Sequence, residues 1–343
     1  MTQFDKPYKA EFFNREFDFM FFSVIQAPEI VFDYLTLDKT SIVIPGIADI
    51  SRGWYCHITQ GADVIYQGIV SGVDTDKSVT TVQLSPLLAL FEFQFFYDRK
   101  MYNNNKTDLE SWLRSAILEA FAGSDAVQNI PGLTVTAATH TDGVDLNLKD
   151  NVHDFWDLAK KAMESAKIAI VCEFDPMAKT VTAVIRNHSG DSELTMEADL
   201  PDVTEQTFSL RDDWGSVNKV IIYNAKNPSQ SQTFYAADYA APTVQRVAEV
   251  TVEDGETFAT VAREKSAELM RKADFDNLIE LTYRESDKII AAMQIGQPVR
   301  VLKKGVGYHT VLTGITSKGD LKTYVFGGIR VDLTKILKLK GAI

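Results

Sequence analysis

The sequence predicts an α+β chain that is mainly β: two similar antiparallel β-barrels, one α+β domain between them, and a small α+β insertion splitting the second barrel. Three observations carry this. The first ~97 residues alternate apolar and polar side chains in short runs, the period of half-buried strands. The next ~100 shift to the 3.6-residue period of amphipathic helices. Two distant stretches, "YQGIVSG" (Tyr66–Gly72) and "LTGITSK" (Leu312–Lys318), both place Gly-Ile-x-Ser after an alternating run. With 343 residues, the chain is longer than one core usually fills, so two to four domains are expected.

The first barrel is assigned to residues 1–97. Its strands are read in "FDFMFF", where Phe17, Phe19 and Phe21 flank Asp18, and in "SIVI", "WYCHIT", "DVIYQGIV" and "VTTVQL". Pro45-Gly46, Gln60-Gly61 and the run Asp74 to Lys77 supply the turns between them. "SPLLALF" offers Ser85 as a helix N-cap and Pro86 at the first helical position.

Residues 98–199 form the α+β domain. In "TDLESWLRSAILEAFAG", Thr107 and Glu110 have the spacing of a capping box. Leu109, Trp112, Leu113, Ile117 and Phe121 share one face, and Gly123 stands where a C-cap is expected. A second helix is expected from Asn151, its N-cap, through Ala166, with Val152, Phe155, Trp156, Ala159 and Met163 on one face. The strands "KIAIVCEF" and "TVTAVI" follow, joined by a turn at Pro176.

Seven acids and one Arg between Glu193 and Asp213, with Pro201 among them, read as an exposed crossing segment. The second barrel is assigned to 200–230 plus 296–335. Its first strand is "VNKVIIYNA" (Val217–Ala225). The insert, 231–295, holds the rest of the loop begun by "NPSQSQTF", a helix near Thr257–Arg271 and the strand "NLIELTY". A C-terminal tail, 336–343, completes the chain. In the repeat, Gly61 corresponds to Gly305 and Gly68 to Gly314.

Few residues read as chemistry, and the expected catalytic, metal and cofactor-binding sets are empty. The five histidines, His57, His140, His153, His188 and His309, lack the i, i+4 partners of a zinc site. His153 reads as a polar surface residue. Cys56 and Cys172 read as buried free thiols. "GVGYH" (Gly305–His309) lies between strands, so its glycines make a turn rather than a phosphate cradle. "DTDKS" (Asp74–Ser78) lacks the glycine and the final glutamate of a calcium loop. Acid pairs such as Asp212-Asp213 and Glu253-Asp254 sit in turn-like contexts, which leaves a carboxylate-based glycosidase as an alternative.

The net charge is −12, unevenly spread. Residues 1–97 hold six Lys/Arg and twelve acids, whereas 296–343 hold nine Lys/Arg and two acids. Such asymmetry points to a partner or to self-association. Lys303 and Lys304, in a turn of the basic segment, are the candidate subunit-interface residues. The overall acidity and few aromatics among the lysines argue against sequence-specific nucleic-acid binding. Arg15, Glu16 and Asp18 interrupt the first apolar run, so no signal peptide is expected. No run reaches the ~18 apolar residues of a membrane span.

Taken in order, "VIYQGIVSGVD" through "LSPLLALFEFQF", the helix "VHDFWDLAKKA", and "QIGQPVRVLKKG", "LTGITSKGD" and "FGG" resemble a known layout. It is similar to the tail-tip or baseplate hub proteins of tailed bacteriophages, in particular the prophage tail, endopeptidase-associated family. The hub of contractile-tailed phages and the N-terminal part of tail-associated lysins share it. The resemblance implies a structural virion component rather than an enzyme: a homotrimeric hub whose two barrels per chain give a ring of approximate six-fold symmetry. That ring would join a six-fold tail tube to a three-fold tip. The implied partners are a distal tail protein or tail tube, a tape-measure protein, and tail-tip or receptor-binding components. The implied location is the virion tail tip, after synthesis in the host bacterial cytoplasm. The resemblance implies that longer relatives carry an endopeptidase beyond the second barrel, the point this sequence reaches at Ile343, which leaves open both a hub-only protein and a part of a longer one. The alternatives are a cell-wall-degrading glycosidase or endopeptidase of a phage tail, and the spike hub of a contractile secretion system.

Overall fold

The computed structural model describes residues 6–92, 95–97, 108–123, 127–138, 141, 144, 146, 152–209, 217–235, 247–252, 258–270, 277–284 and 293–328. The protein is α+β and mainly β. It divides into two compact units, Met1–Thr207 with Glu280–Phe326, and Phe208–Ile279 with Gly327–Ile343.

The first unit opens with β1 (Tyr8–Phe13), β2 (Phe19–Ile25), β3 (Glu29–Asp33), β4 (Thr40–Pro45), β5 (Tyr55–Gln60), β6 (Asp63–Thr75) and β7 (Val79–Pro86). Sequence periodicity anticipated five of the seven; β1 and β3 went unread. In β2 the strand starts at Phe19, because Phe17 turns the chain with a left-handed φ of 67°. Its ring stacks on Tyr55 and Phe174 instead of joining the alternation. The side chains turned inward, among them Phe12, Ile44, Ile58, Val82 and Leu84, make one apolar core. Ser85 is a β7 residue rather than a helix cap. The segment after it, Leu87–Phe91, is a single 3₁₀ turn that buries Leu87, Leu88 and Phe91 without a side-chain cap.

The α+β lobe follows: β8 (Phe95–Tyr97), α1 (Leu109–Phe121), β9 (Leu133–Ala137), β10 (Val152–Asp154), α2 (Phe155–Ala166), β11 (Ile168–Asp175) and β12 (Thr180–Asn187). Asp108 caps α1 by accepting from the Ser111 N–H; Thr107, expected in that role, lies outside the described residues. Glu110 departs from the capping-box reading. It is fully buried, and its carboxylate accepts from the Thr141 N–H, the Thr141 hydroxyl and the Asn187 amide. A buried carboxylate needs such a set of donors. Gly123 lies past the α1 C-cap, Ala122, where an added Cβ would come 2.4 Å from the Glu119 carbonyl oxygen.

The second helix starts later than the sequence predicts. Val152–Asp154 pairs with β8, and Asp154 caps α2 by accepting from the Trp156 and Asp157 N–H groups. Asn151 lies outside the described residues. Val152 is 58% exposed, off the apolar stripe, and His153 is buried, not a surface residue. The reason is local: a three-residue strand alternates sides, so Val152 and His153 face opposite ways. Lys167, left-handed at φ 54°, ends the helix with its N–H on Ala162 and Met163 carbonyls. β11 and β12 pair antiparallel through the expected Pro176 turn, and β9 adds parallel to β12.

The acidic stretch expected to be a bare crossing contains β13 (Leu194–Glu197) and β14 (Val203–Ser209). The second unit then supplies β15 (Lys219–Asn224), β16 (Asn227–Tyr235), β17 (Val247–Val252) and α3 (Phe258–Met270). The first unit's strand path resumes through β18 (Leu278–Arg284), β19 (Pro298–Lys303), β20 (Val306–Lys318) and β21 (Leu321–Gly327). Two strands fall elsewhere than expected. β15 does not open the second β region: it pairs with β16 and β17, and Val220 and Ile222 pack with Phe258 and Ala262 of α3. "NPSQSQTF" is thus strand, not loop. β18 joins the large sheet instead of an insert, burying Leu281 and Tyr283 of its alternating row.

The Gly-Ile-x-Ser echo has a structural counterpart. β6 and β20 are each 13 residues long. The first half of each pairs with the strand before it, β5 or β19, and the second half with the strand after it, β7 or β21. A bulge falls between Val70 and Gly72 in one and between Leu312 and Gly314 in the other. Such bulges let a strand bend from one pairing to the next. Gly61 and Gly305 turn the preceding hairpins at φ 67° and 79°. One path of hydrogen-bonded strands links both halves, because β3 pairs with β20 as well as with β4.

Trp156 is buried against Tyr34, ring centroids 5.1 Å apart. Trp156→Ala is expected to cost about 3–5 kcal/mol, the range for truncating a buried aromatic. Urea unfolding of the variant measures this, and a loss below about 1 kcal/mol would contradict the packing described.

Candidate subunit interface

Lys303 and Lys304 end β19 and enter its hairpin with β20. Lys304 adopts φ 48° and Gly305 φ 79°, and the Lys304 N–H donates to the Asp199 carboxylate. Asp199 thereby fixes the hairpin by its backbone and leaves the Lys304 side chain exposed. Lys318, further along the basic segment, is engaged within the chain by Glu29 at 2.9 Å.

The opposite end of the strand path carries a feature not read from the sequence. In the described sheet β2 is hydrogen-bonded to β1 and ends the strand path, with β4 of the same region running close beside it. The outward row of β2, Phe19, Phe22 and Val24, is 54%, 53% and 55% exposed. The cross-strand partners are Phe13, Glu11 and Lys9. Lys9 is ion-paired with Glu11 and lies over the Phe22 ring, 4.9 Å from its centroid. Asp18, just before the strand, is ion-paired with Lys179 at 3.1 Å, and that pairing holds its carboxyl below the usual range. A row of large apolar side chains turned to solvent, on a strand without charge or proline of its own, is what soluble proteins normally guard against. The signal available beforehand was the unbroken run Phe19-Met20-Phe21-Phe22. A strand buried on one side only cannot turn all four inward.

A cavity of about 340 Å³ is lined by residues including Thr136, Arg186, Asn187, His188, Asp191 and Gln294. Several of its polar groups are hydrogen-bonded within the chain, while His188 Nε2 is buried without a partner. Arg186 donates to Gln294 and Glu173, Asn187 donates to Glu110, and His188 Nδ1 lies 2.7 Å from Asp191. The His188 ring packs over Gly296, where a Cβ would come 2.8 Å from its Cδ2. These bonds read as a joint between β12 and the chain at Gln294. Among the described residues, no group of three or more His, Cys, Asp or Glu is placed to hold a metal. His309 is paired with Glu193, and His140 lies outside the described residues, as do Asp212-Asp213 and Glu253-Asp254. Cys56 and Cys172 are free thiols, Cys56 buried as expected and Cys172 only partly so, and burial raises the pKa of both. Among the described residues no helix is long and apolar enough to cross a membrane.

No protein-family model matches this sequence, and no match is found among the curated proteins. Similarity appears in solved structures. The 43 kDa tail protein of prophage MuSo2 from Shewanella oneidensis superposes with a TM-score of 0.59 at 12% identity, covering 94% of this chain and 98% of that one. The tail protein from Neisseria meningitidis MC58 gives 0.56 at 13% identity, covering 93% and 96%. A chain of the phage P2 baseplate gives 0.54 at 11% identity, covering 94% and 100%. At such identities the likeness is one of fold, and it extends over nearly the whole of each chain.

His57, on β5, supplies a pH test of this face. Its Nε2 is buried without a hydrogen-bond partner. Burial lowers its pKa, and Glu11 and Asp175 only partly offset this. The unfolded chain therefore takes up a proton first as pH falls. The stabilisation is complete above the unfolded value of about 6.5 and is lost as pH drops through the lower folded value. Urea midpoints are expected to fall between pH 7.5 and 5.5, with a shallower fall in His57→Gln. Equal slopes in the two proteins would assign the effect to other groups.

Proposed function

We propose that this chain is a structural component of a phage-type tail tip: a homotrimeric hub in which each copy contributes two barrel-like β regions to a ring. The observation that carries the reading is fold similarity over more than nine-tenths of the chain to tail and baseplate proteins. In the reading, β5–β6–β7 and β19–β20–β21 are the repeated cores of the two barrels. Two per chain in three chains match a six-fold tube, while the chain symmetry stays three-fold. A distal tail or tube protein would sit on one side of the ring, and tape-measure and receptor-binding components would complete the tip.

The charge asymmetry supports alternation. Opposite fields steer unlike barrels together and disfavour pairing like with like. Each exposed ion pair contributes only about 0–1 kcal/mol, so the effect is collective. The secretion-spike alternative keeps support from the VgrG-containing Francisella PdpA–VgrG complex, whose matching chain superposes at TM-score 0.51, with 53% of that chain covered. In both readings the role is architectural rather than catalytic.

Light scattering tests the assembly. The parent is expected to reach the trimer mass as concentration rises. Lys303→Glu with Lys304→Glu is expected to weaken association at low salt, with the gap closing as salt screens the charges. A parent that stays monomeric at every concentration would overturn the hub. For the architectural role, the protein incubated with purified peptidoglycan should release no muropeptides or reducing ends. Release abolished by substituting a single acid would instead establish the cell-wall enzyme.

A further inference from the structure

We infer that the outward row of the edge strand β2, Phe19, Phe22 and Val24, is the apolar centre of the contact between copies, and that its occupant is the basic β19–β20 hairpin region of a second copy of this chain. The inference rests on the ring reading and adds the surface that would close the ring.

The first support is the surface itself. All three residues are more than half exposed, on the strand that ends the hydrogen-bonded path. Charged neighbours are neutralised within the chain, Lys9 by Glu11 and Asp18 by Lys179. The row is therefore apolar, rimmed by satisfied ion pairs. Large apolar side chains in that setting are typical anchors of protein contacts.

Charge decides which partner. Described residues 6–92 hold six Lys/Arg and eleven acids, a net of −5. Two such regions meeting through β2 and its own copy would bring like fields together. Residues 293–328 hold five Lys/Arg and one acid, a net of +4. A second copy offering that region would match the sign, bringing Lys303 and Lys304 to a net-acidic β region. The contact is then between two different surfaces, so it repeats from copy to copy instead of stopping at a two-fold pair, and it closes into a ring where the rotation between copies is a whole fraction of a turn.

The test combines substitution with covalent capture. Phe22→Glu and Val24→Glu place charge in the row, and their exposure predicts that thermal unfolding stays near that of the parent. Each is expected to raise the concentration needed for half-assembly by about tenfold or more, as loss of an interface anchor does. A photo-crosslinking phenylalanine analogue at position 22 is expected to capture peptides within 296–328 of another copy. If the parent assembles and both variants assemble equally well, this surface is wrong and the ring stands. If crosslinks join β2 to β2 of another copy, the charge-matched partner is wrong. If the parent is monomeric throughout, the ring reading and this inference fall together.

Discussion

Tyr34 is the point at which the first unit is tied together. Its N–H donates to the Thr313 carbonyl of β20, its hydroxyl accepts from the Ile170 N–H of β11, and its ring lies on Trp156 of α2. The residue is fully buried, which pushes its hydroxyl well above the usual tyrosine range and keeps it neutral. One residue thus joins the end of β3, the bend of β20 and the α+β lobe, the first link through its backbone and the last through its side chain. A buried phenol requires a partner, so the geometry at Ile170 is specified and not merely permitted.

The lobe is held to the first strands by a related device. The Gln67 side-chain amide on β6 donates to the Phe174 carbonyl and accepts from the Phe174 N–H, acting as a peptide group at the β11 edge. Around it Phe13, Phe17 and Tyr55 meet the Phe174 ring. An edge that would otherwise be open is closed by one side chain and an aromatic cluster. The contrast with β2 is informative. The protein covers the β11 edge with its own groups and leaves one face of β2 lined with exposed phenylalanines.

The two long strands account for the chain's internal likeness. A strand that serves two neighbours in succession has to bend where it changes partner, and β6 and β20 do so at their bulges. Gly68 and Gly314 stand beside these places because a Cβ would meet the Ser85 carbonyl at 2.4 Å and the Phe32 carbonyl at 3.2 Å, respectively. The glycine is a consequence of close backbone approach. Close approach accounts for the glycine of each Gly-Ile-x-Ser, while the bulge follows that glycine in β6 and precedes it in β20.

Local pattern alone was enough to read the mainly β class, the bodies of α1, α2 and α3, the β11–β12 hairpin and the echo between β6 and β20. Periodicity and turn chemistry act within a few residues, so they survive in the sequence. Tertiary pairing decided the rest. β15 and β18 have the same alternating pattern, and only their partners place them in different sheets. Glu110 has capping-box spacing, yet burial beside Thr141 and Asn187 sets its role. Lys303 and Lys304 were legible as a turn, but the apolar row at the other end of the strand path was not. Outward and inward faces of an apolar strand look alike until its neighbours are known. Whether a phenylalanine is core or surface depends on what lies across from it, and that is set by residues distant in the chain.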